Sequence, residues 1–406
     1  MWCGSINSEL YHVKFYTLYN DMTRPFILFL CLAIIAGCTR YDAMRIARAA
    51  ATGNPATAAE SLARDKAIGY ATNPASIASD IKQFQKIVDD FIYVVTSVWG
   101  KDDVRTPRPK EYVKYTQNYL SRASVDFDTG MITVETVDTD NPQMSLHNAI
   151  VTTLLTPNDP RAVDLYSAKT VKLGDTPFLL GEVKDNDTKN IRWEWRASRY
   201  ADVLMGTCLK KRTSEGKIIN YVTIPMVKDH LNIRANKYKK QVVSAAKRFD
   251  ISQNLIYAIM KVESDFNPFA ISSAMAIGLM QVVPATAGSD VYHYLNGKNG
   301  QPSKQDLLVA STNITYGSAY LHLLGTRFLK DITNPTSREY CIIAGYNGGA
   351  GTVLRTFDKD RKNAAQTINR LSPGKVYTTL RTETPYAETR RYLGKVLEAK
   401  KQFVNF

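Results

Sequence analysis

Cysteine and histidine are scarce in this 406-residue chain, with five of each. Five cysteines, at positions 3, 31, 38, 208 and 341, are too few and too scattered for a disulfide-built scaffold. They show no metal-ligand spacing, and the histidines are dispersed, so no zinc site is expected. Long apolar runs are missing as well: no stretch approaches the roughly 20 residues a membrane-spanning helix needs. No internal repeat or low-complexity tract appears. Acidic residues are in deficit, 38 against 52 lysines and arginines, which leaves a formal charge of +14. Basic chains favour anionic partners: phospholipid surfaces, nucleic acid or acidic polymers such as cell walls. A solvated basic surface without a specific partner is an equal reading. What is present, a hydrophobic share of 44% over a length suited to two or three domains, describes a folded protein.

The start of the chain carries an export pattern. Met22, Thr23 and Arg24 precede Pro25 and an uncharged apolar stretch over 26–36, which closes on Ile35-Ala36-Gly37-Cys38. A basic start, a short apolar run and small residues before a cut form a secretory signal. Ending at Cys38, it resembles a bacterial lipobox, in which that cysteine becomes the lipidated first residue. An ordinary buried segment with an incidental cysteine is the bland alternative. Residues 1–21 are polar and aromatic, unlike a signal's start, and Met22 reads as the true beginning. The charges of 1–37, Lys14 and Arg24 against Glu9 and Asp21, cancel, so the rest of the chain keeps the whole excess. Thr39, and not an aspartate, follows the cysteine, which resembles the outer-membrane sorting pattern of Gram-negative lipoproteins. The expected location is therefore the outer membrane, lipid-anchored and facing the periplasm, where nucleic acid is no partner.

The remainder divides by pattern. Residues 38–79 are Ala-rich, interrupted by Gly53 and Pro55, and read as a tether. Residues 80–230 read as a mixed α/β accessory domain. Within it, helices are expected over 81–98, 145–155 and 191–205, a hairpin around Asp128-Thr129-Gly130, and a strand over 218–226. Its aromatics, Trp193 and Trp195 among them, read as core and not as a ligand platform. Residues 231–406 lack sustained strand alternation and read as mainly α, so the overall class is α+β. A basic amphipathic helix is expected between Lys228 and Arg248, followed by helices over 251–264, 307–329, 338–346 and 385–402.

Glu263 is the chemically suggestive residue. Ser252 can cap the helix that leads to it, and Ile256, Ile259 and Met260 precede it by seven, four and three residues on one face. A carboxyl group on an apolar stripe loses hydration, which favours its neutral, proton-donating form. Such a group is a general acid near neutral pH. A glutamate at a helix end pointing to solvent is the bland alternative. Asp265, two residues on, is rotated about 200° around the helix, away from that side.

Four segments occur in order: Glu263-Ser264-Asp265-Phe266-Asn267-Pro268, Gly278-Leu279-Met280-Gln281-Val282-Val283-Pro284, Ala344-Gly345-Tyr346-Asn347-Gly348-Gly349, and Glu388-Thr389-Arg390-Arg391-Tyr392. Together they resemble the lytic transglycosylase family with the goose-lysozyme-like fold, over roughly residues 245–400. Asn313, Ile314, Gly317, Tyr320 and Leu321 resemble that family's long helix. The resemblance implies a lysozyme-like domain that cleaves peptidoglycan glycan strands without metal or cofactor. It implies Glu263 as the catalytic acid and base, and Ser272 beside the substrate's N-acetyl group. It also implies Gln281, Tyr346, Asn347 and Met280 along the sugar cleft.

Each residue has a plainer reading. Ser272 suits a turn, Gln281 a buried amide serving backbone groups, Asn347 a helix end, and Met280 packing beneath the cleft. Glu388 and Tyr392, on one helix face at i,i+4, read as structural. Val283 stands where relatives often carry methionine, and Gly345 where alanine is commoner. A hydrolytic lysozyme on the same fold and a non-catalytic wall-binding lipoprotein remain alternatives. Oligomeric state and any pairing of Cys208 with Cys341 stay open.

Overall fold

Alternation of side chains builds the first half. The structure, a computed structural model, describes residues 74–174 and 176–406; the signal pattern, Cys38 and nearly all of the tether lie outside them. One compact unit, Tyr70–Phe406, contains everything described below. It begins with helix α1 (Pro74–Trp99), followed by strands β1 (Glu111–Thr116), β2 (Ser121–Asp126) and β3 (Met131–Thr136). Helices α2 (Pro142–Leu155) and α3 (Glu194–Cys208) come next, then β4 (Lys210–Ser214) and β5 (Lys217–Pro225). The strands form one antiparallel sheet in the order β1-β2-β3-β5-β4. Because side chains alternate across a strand, Val125, Ile132, Val134, Val222 and Ile224 face α2 and α3, where Leu146, Ile150, Ala197 and Ala201 meet them. The opposite face gives Val113, Tyr115 and Ile219 to Phe91, Val95 and Trp99 of α1.

The expected hairpin is present between β2 and β3. Asp126 Oδ1 accepts the N–H groups of Asp128 and Thr129 at 3.0 and 3.1 Å, and Gly130, at φ +68°, completes the turn. Two strands escaped the sequence reading. β1 carries Lys114 at a buried position; its ammonium donates to the Asp164 and Ser167 carbonyls at 2.8 and 2.6 Å. Burial pushes that amine down to about 8. β4, Lys-Lys-Arg-Thr-Ser, is a charged sheet edge without an apolar face, which suits an edge that must not pair further. The aromatics are mixed: Trp99 is buried, but Trp193 and Trp195 are 60% and 58% exposed. This corrects the expectation that they belong to the core. Cation–π contacts with Arg192 and Arg196 hold them at the surface instead.

The second half is helical: α4 (His230–Asn236), α5 (Lys239–Phe249), α6 (Gln253–Ser264), α7 (Ser289–Asn296), α8 (Lys304–Leu308) and α9 (Ala310–Leu323). Then follow α10 (Pro335–Gly348), α11 (Ala350–Arg355), α12 (Arg361–Arg370), α13 (Pro373–Thr382) and α14 (Ala387–Gln402). The single basic helix expected before residue 249 is two, broken at Lys237-Tyr238. The helix expected over 307–329 is likewise broken, because Val309 is extended at φ −77° and ψ 117°. Four short helices, α7, α11, α12 and α13, were not anticipated. α6 is the centre of the domain: Leu255, Ile256, Tyr257, Ala258, Ile259 and Met260 are all buried, so the helix is apolar around its whole circumference and not along one stripe. Ser252 does hold the N-cap position of α6, but its side chain makes no capping hydrogen bond.

Candidate active site

Helix α6 ends abruptly, and that ending aims Glu263. Asp265 and Phe266 adopt left-handed backbone at φ +49° and +60°, a conformation that costs non-glycine residues about 1 kcal/mol or more each. Packing and ionic contacts offset this. Phe266 is buried between Tyr238 and Phe403. Asp265 is fully buried and meets Lys110 at 2.7 Å and also Lys261, which reaches Asp128 at 3.1 Å. The Asp265 carbonyl accepts Arg234 Nη1 at 2.7 Å, while Arg234 Nε holds Glu182 at 2.7 Å. Asn267 Nδ2 donates to the Pro109 carbonyl at 3.0 Å. The sheet domain therefore grips the turn that follows Glu263. Asp265 lies just past the helix end, so the rotation of about 200° expected of a helical residue does not apply to it.

Glu263 itself is half-buried. Tyr392 of α14 donates its hydroxyl to Glu263 Oε1 at 2.6 Å. Loss of water around the carboxyl pushes it up to about 7; the Tyr392 hydrogen bond and Lys110 oppose that rise, and Glu388 adds to it. A carboxylic acid that stays protonated near neutrality is suited to proton donation. Tyr392 was read as structural; the structure puts its hydroxyl on the candidate acid. No sequence signal announces a bond across 129 residues; only the position of Tyr392 at the end of the fourth motif hinted at it.

The second motif forms the loop beneath. Ser264 Oγ, next to Glu263, donates to the Leu279 carbonyl at 2.7 Å. Gly278, at φ +74°, admits no side chain, because a Cβ there meets Asn313 Nδ2 at 2.3 Å and the Leu307 carbonyl at 2.7 Å. Asn313 organises the loop, accepting the Met280 N–H at 2.8 Å and donating to the carbonyls of Ile277 and Leu307 at 2.7 and 2.9 Å. Tyr346 of α10 donates to the Met280 carbonyl at 2.8 Å, and its ring packs edge-on against Tyr320. Burial, and after it the charge of Glu263, raises the Tyr346 hydroxyl above the ordinary range.

The other expected residues are placed less directly. Ser272 is half-exposed, and its Oγ accepts the N–H groups of Ala274 and Ala276 at 3.2 and 3.1 Å, closing a tight turn. Gln281, at φ +47°, donates its amide to the Ala270 and Gly278 carbonyls at 3.3 and 3.0 Å. Asn347 ties α10 to α14, accepting Thr389 Oγ1 at 2.7 Å and donating to Glu388 at 3.4 Å. Met280 is fully buried, its sulfur against Gly317, where a Cβ would meet it at 2.4 Å. Its side chain is buried, which agrees with the packing reading of the sequence and not with the cleft position the resemblance implied. Among the described residues no group of three or more His, Cys, Asp or Glu side chains could hold a metal ion. Cys208 is exposed and Cys341 buried, and both are free thiols.

Two family models match successive parts of the chain. Residues 77–237 match the N-terminal domain of membrane-bound lytic murein transglycosylase C, and residues 241–369 match the transglycosylase SLT domain. The membrane-bound lytic murein transglycosylase C of Photorhabdus laumondii is 47% identical over 325 residues, covering 80% of this chain and 91% of that protein. The chain belongs to the membrane-bound lytic murein transglycosylase C family. The protein of that name from Yersinia pestis is 46% identical over the same length, covering 90% of it. Among solved structures, the 70 kDa soluble lytic transglycosylase of Escherichia coli is 26% identical, with a TM-score of 0.33, over 44% of this chain and 26% of that one. Membership bears out the resemblance read from the four motifs, and with it an enzyme of murein degradation. No helix among the described residues is long and apolar enough to cross a membrane.

Proposed function

We propose that this enzyme cleaves the β-1,4 bond between N-acetylmuramic acid and N-acetylglucosamine by intramolecular transfer, leaving a 1,6-anhydromuramyl end. The single observation that carries the reading is the state of Glu263: one carboxyl raised to about 7 by loss of water and addressed by a tyrosine hydroxyl. Ordinary glycosidases set two carboxylates across the scissile bond. Here the next carboxylate along the chain, Asp265, is bound to Lys110 and Lys261. The missing partner is then supplied by the substrate.

In this mechanism protonated Glu263 donates to the glycosidic oxygen. The substrate's acetamido oxygen stabilises C1 as an oxazolinium, assisted by Ser272. Ionised Glu263, steadied by the Tyr392 hydroxyl, recovers a proton from the C6 hydroxyl, which closes onto C1. Intramolecular delivery of that oxygen is worth up to about 7–11 kcal/mol in good geometry. Gln281, Tyr346 and Asn347 are proposed to line the sugar cleft. No metal or cofactor takes part.

A hydrolytic reading has one observation in its favour. Glu388 is exposed, on the face of α14 that carries Tyr392, and its charge reaches Glu263. As a base it could activate water. The two readings separate on Glu388→Gln: transfer survives that change, whereas a two-carboxylate hydrolase loses its turnover. Clearing of purified murein sacculi by the wild type and not by Glu263→Gln tests catalysis itself, and equal clearing by both removes the assignment.

We also propose lipid anchoring at Cys38, supported by the lipobox-like run ending there. Fractionation of Cys38→Ala checks it: a soluble periplasmic form is expected, and retention in the outer membrane contradicts the anchor.

A further inference from the structure

The segment that follows Glu263 belongs to the helical half by sequence and to the sheet domain by its contacts. Asp265, Asn267 and Phe269 are all buried. Phe269 lies in the core that the sheet shares with α2 and α3, its ring 5.0 Å from Tyr112 of β1 and 5.2 Å from Phe178. Asn267 is fixed at both ends of its amide. Nδ2 donates to the Pro109 carbonyl at 3.0 Å, and Oδ1 accepts the Phe269 N–H at 3.0 Å.

Lys110 stands next to Pro109, on a turn with a well-defined backbone. Arg108 and Glu111 exchange N–H···O bonds at 2.9 and 3.0 Å across it, and the Lys110 carbonyl accepts the Phe127 N–H at 3.2 Å. From this turn the ammonium meets the buried Asp265 carboxylate at 2.7 Å, with 40% of the lysine side chain still exposed. Its charge also reaches Glu263. Burial is the strongest influence on that carboxyl and the Tyr392 hydrogen bond the next; the charges of Glu388 and Lys110 follow, with opposite signs. The other ionisable group beside Glu263 is Tyr346 of α10. Around Lys110 itself stand Asp265, Lys261 and Asp128, with Arg381, Arg391, Lys395 and Glu398 across the open side. Arg234 of α4, which bonds the Asp265 carbonyl, donates in turn to His230 at 2.7 Å.

We propose that Lys110 is a positioning residue of the reaction, through which the sheet domain both fixes the turn after Glu263 and lends that glutamate a positive charge once its proton has gone. The proposal rests on the reading of Glu263 as acid and then base. Donation to the glycosidic oxygen leaves a carboxylate in a site with little water, opposed by Glu388. The Tyr392 hydroxyl answers through a hydrogen bond, and Lys110 answers through charge, across space. A charge already held in place where a negative charge develops needs no reorganisation at the moment of reaction. Lys110 touches neither substrate nor Glu263, and its ammonium is oriented by Asp265. The helical domain alone is then an incomplete catalyst: the sheet domain contributes electrostatics to the chemistry as well as a grip on α6.

The experiment is the pH dependence of kcat/KM on soluble glycan strands for the full chain as wild type, Lys110→Arg, Lys110→Gln and Lys110→Glu. The alkaline limb reports loss of the protonated acid and stands at about 7 in the wild type. Removing positive charge disfavours the ionised carboxyl, so the limb moves upward, by roughly 0.3–0.5 pH unit in Lys110→Gln and about twice that in Lys110→Glu. Lys110→Arg leaves it in place. Lys110→Gln keeps a donor toward Asp265, so a purely mechanical brace predicts no shift there. A limb that ignores the charge at residue 110 overturns the proposal, as does an equal shift in Lys110→Arg. Should Lys110→Glu not fold, the arginine and glutamine variants decide between them. Titration of the Glu263 carboxyl carbon by NMR, its resonance identified by its loss in Glu263→Gln, reads the same shift without turnover. If Glu263→Gln cleaves strands as the wild type does, the reading of Glu263 falls and the proposal with it. If Glu263→Gln is inactive and the limb stays fixed, the proposal alone falls.

Discussion

The two flanks of the end of α6 treat two carboxyl groups in opposite ways. Glu263 meets a tyrosine hydroxyl, half-buried among Tyr346 and Tyr392, and is raised to about 7. Asp265, two residues further, is fully buried but meets Lys110 and Lys261. Burial alone therefore does not make a general acid. What differs is the partner: Glu263 meets a neutral hydroxyl, and Asp265 meets two ammonium groups. The second flank is built by the sheet domain, through Lys110, Asp128 and Pro109. That domain holds the very turn that points Glu263 into the site.

Breaking the first flank has the largest effect. Glu263→Gln keeps the shape and removes the exchangeable proton, so activity on murein falls by about 10²–10⁴ or more, measured by release of soluble fragments. On the second flank, Asp265→Ala leaves Lys110 without its buried carboxylate and Lys261 with Asp128 alone, while the Arg234 bond to the residue 265 carbonyl is kept. A loss of about 3 kcal/mol is expected in denaturant unfolding, near the lower end for a broken buried pair because Lys110 is 40% exposed. A loss below about 1 kcal/mol shows that the clamp is incidental.

Glu263 also leaves a mark on stability. Its folded-state value lies above the ordinary 4.5, so the folded protein binds this proton more tightly than the unfolded chain. The contribution is fully present below about 4.5 and is lost as pH rises through about 7. Glu263→Gln is therefore more stable than the wild type above neutrality, by at most about 3 kcal/mol, and the difference shrinks toward pH 4–5. A constant difference across pH contradicts the raised value.

Tyr392→Phe sharpens the contrast more gently. The hydroxyl favours the ionised carboxyl, so its removal moves the alkaline limb of kcat/KM upward from about 7, by less than about one pH unit. Ser264→Ala, which frees the Leu279 carbonyl from the α6 terminus, has the smallest effect. About 1 kcal/mol of stability is lost, with activity reduced in proportion to loop disorder.

Much of this was legible before any coordinates. The helix ending at Glu263, the hairpin at Asp128-Thr129-Gly130 and the division into a mixed and a helical part follow from local periodicity and turn chemistry, which act over a few residues. What escaped depends on partners far along the chain. Tyr392 reaches Glu263 across 129 residues, and Lys110 finds Asp265 only because the sheet domain docks there. β1 and β4 were hidden by lysines and arginines that pattern rules assign to loops, although Lys114 is satisfied by two carbonyls. Trp193 and Trp195 mislead in the other sense, since large aromatics suggest a core and these two are held outside by arginines.

The claim beneath the rest is that a lone acid works with an oxygen from the sugar and not with water. Digestion of purified murein in heavy-oxygen water, read by mass spectrometry of the released fragments, addresses it most directly. The account predicts anhydro ends one water lighter than hydrolysed fragments and free of the heavy isotope. Reducing ends carrying the label at C1 would contradict it.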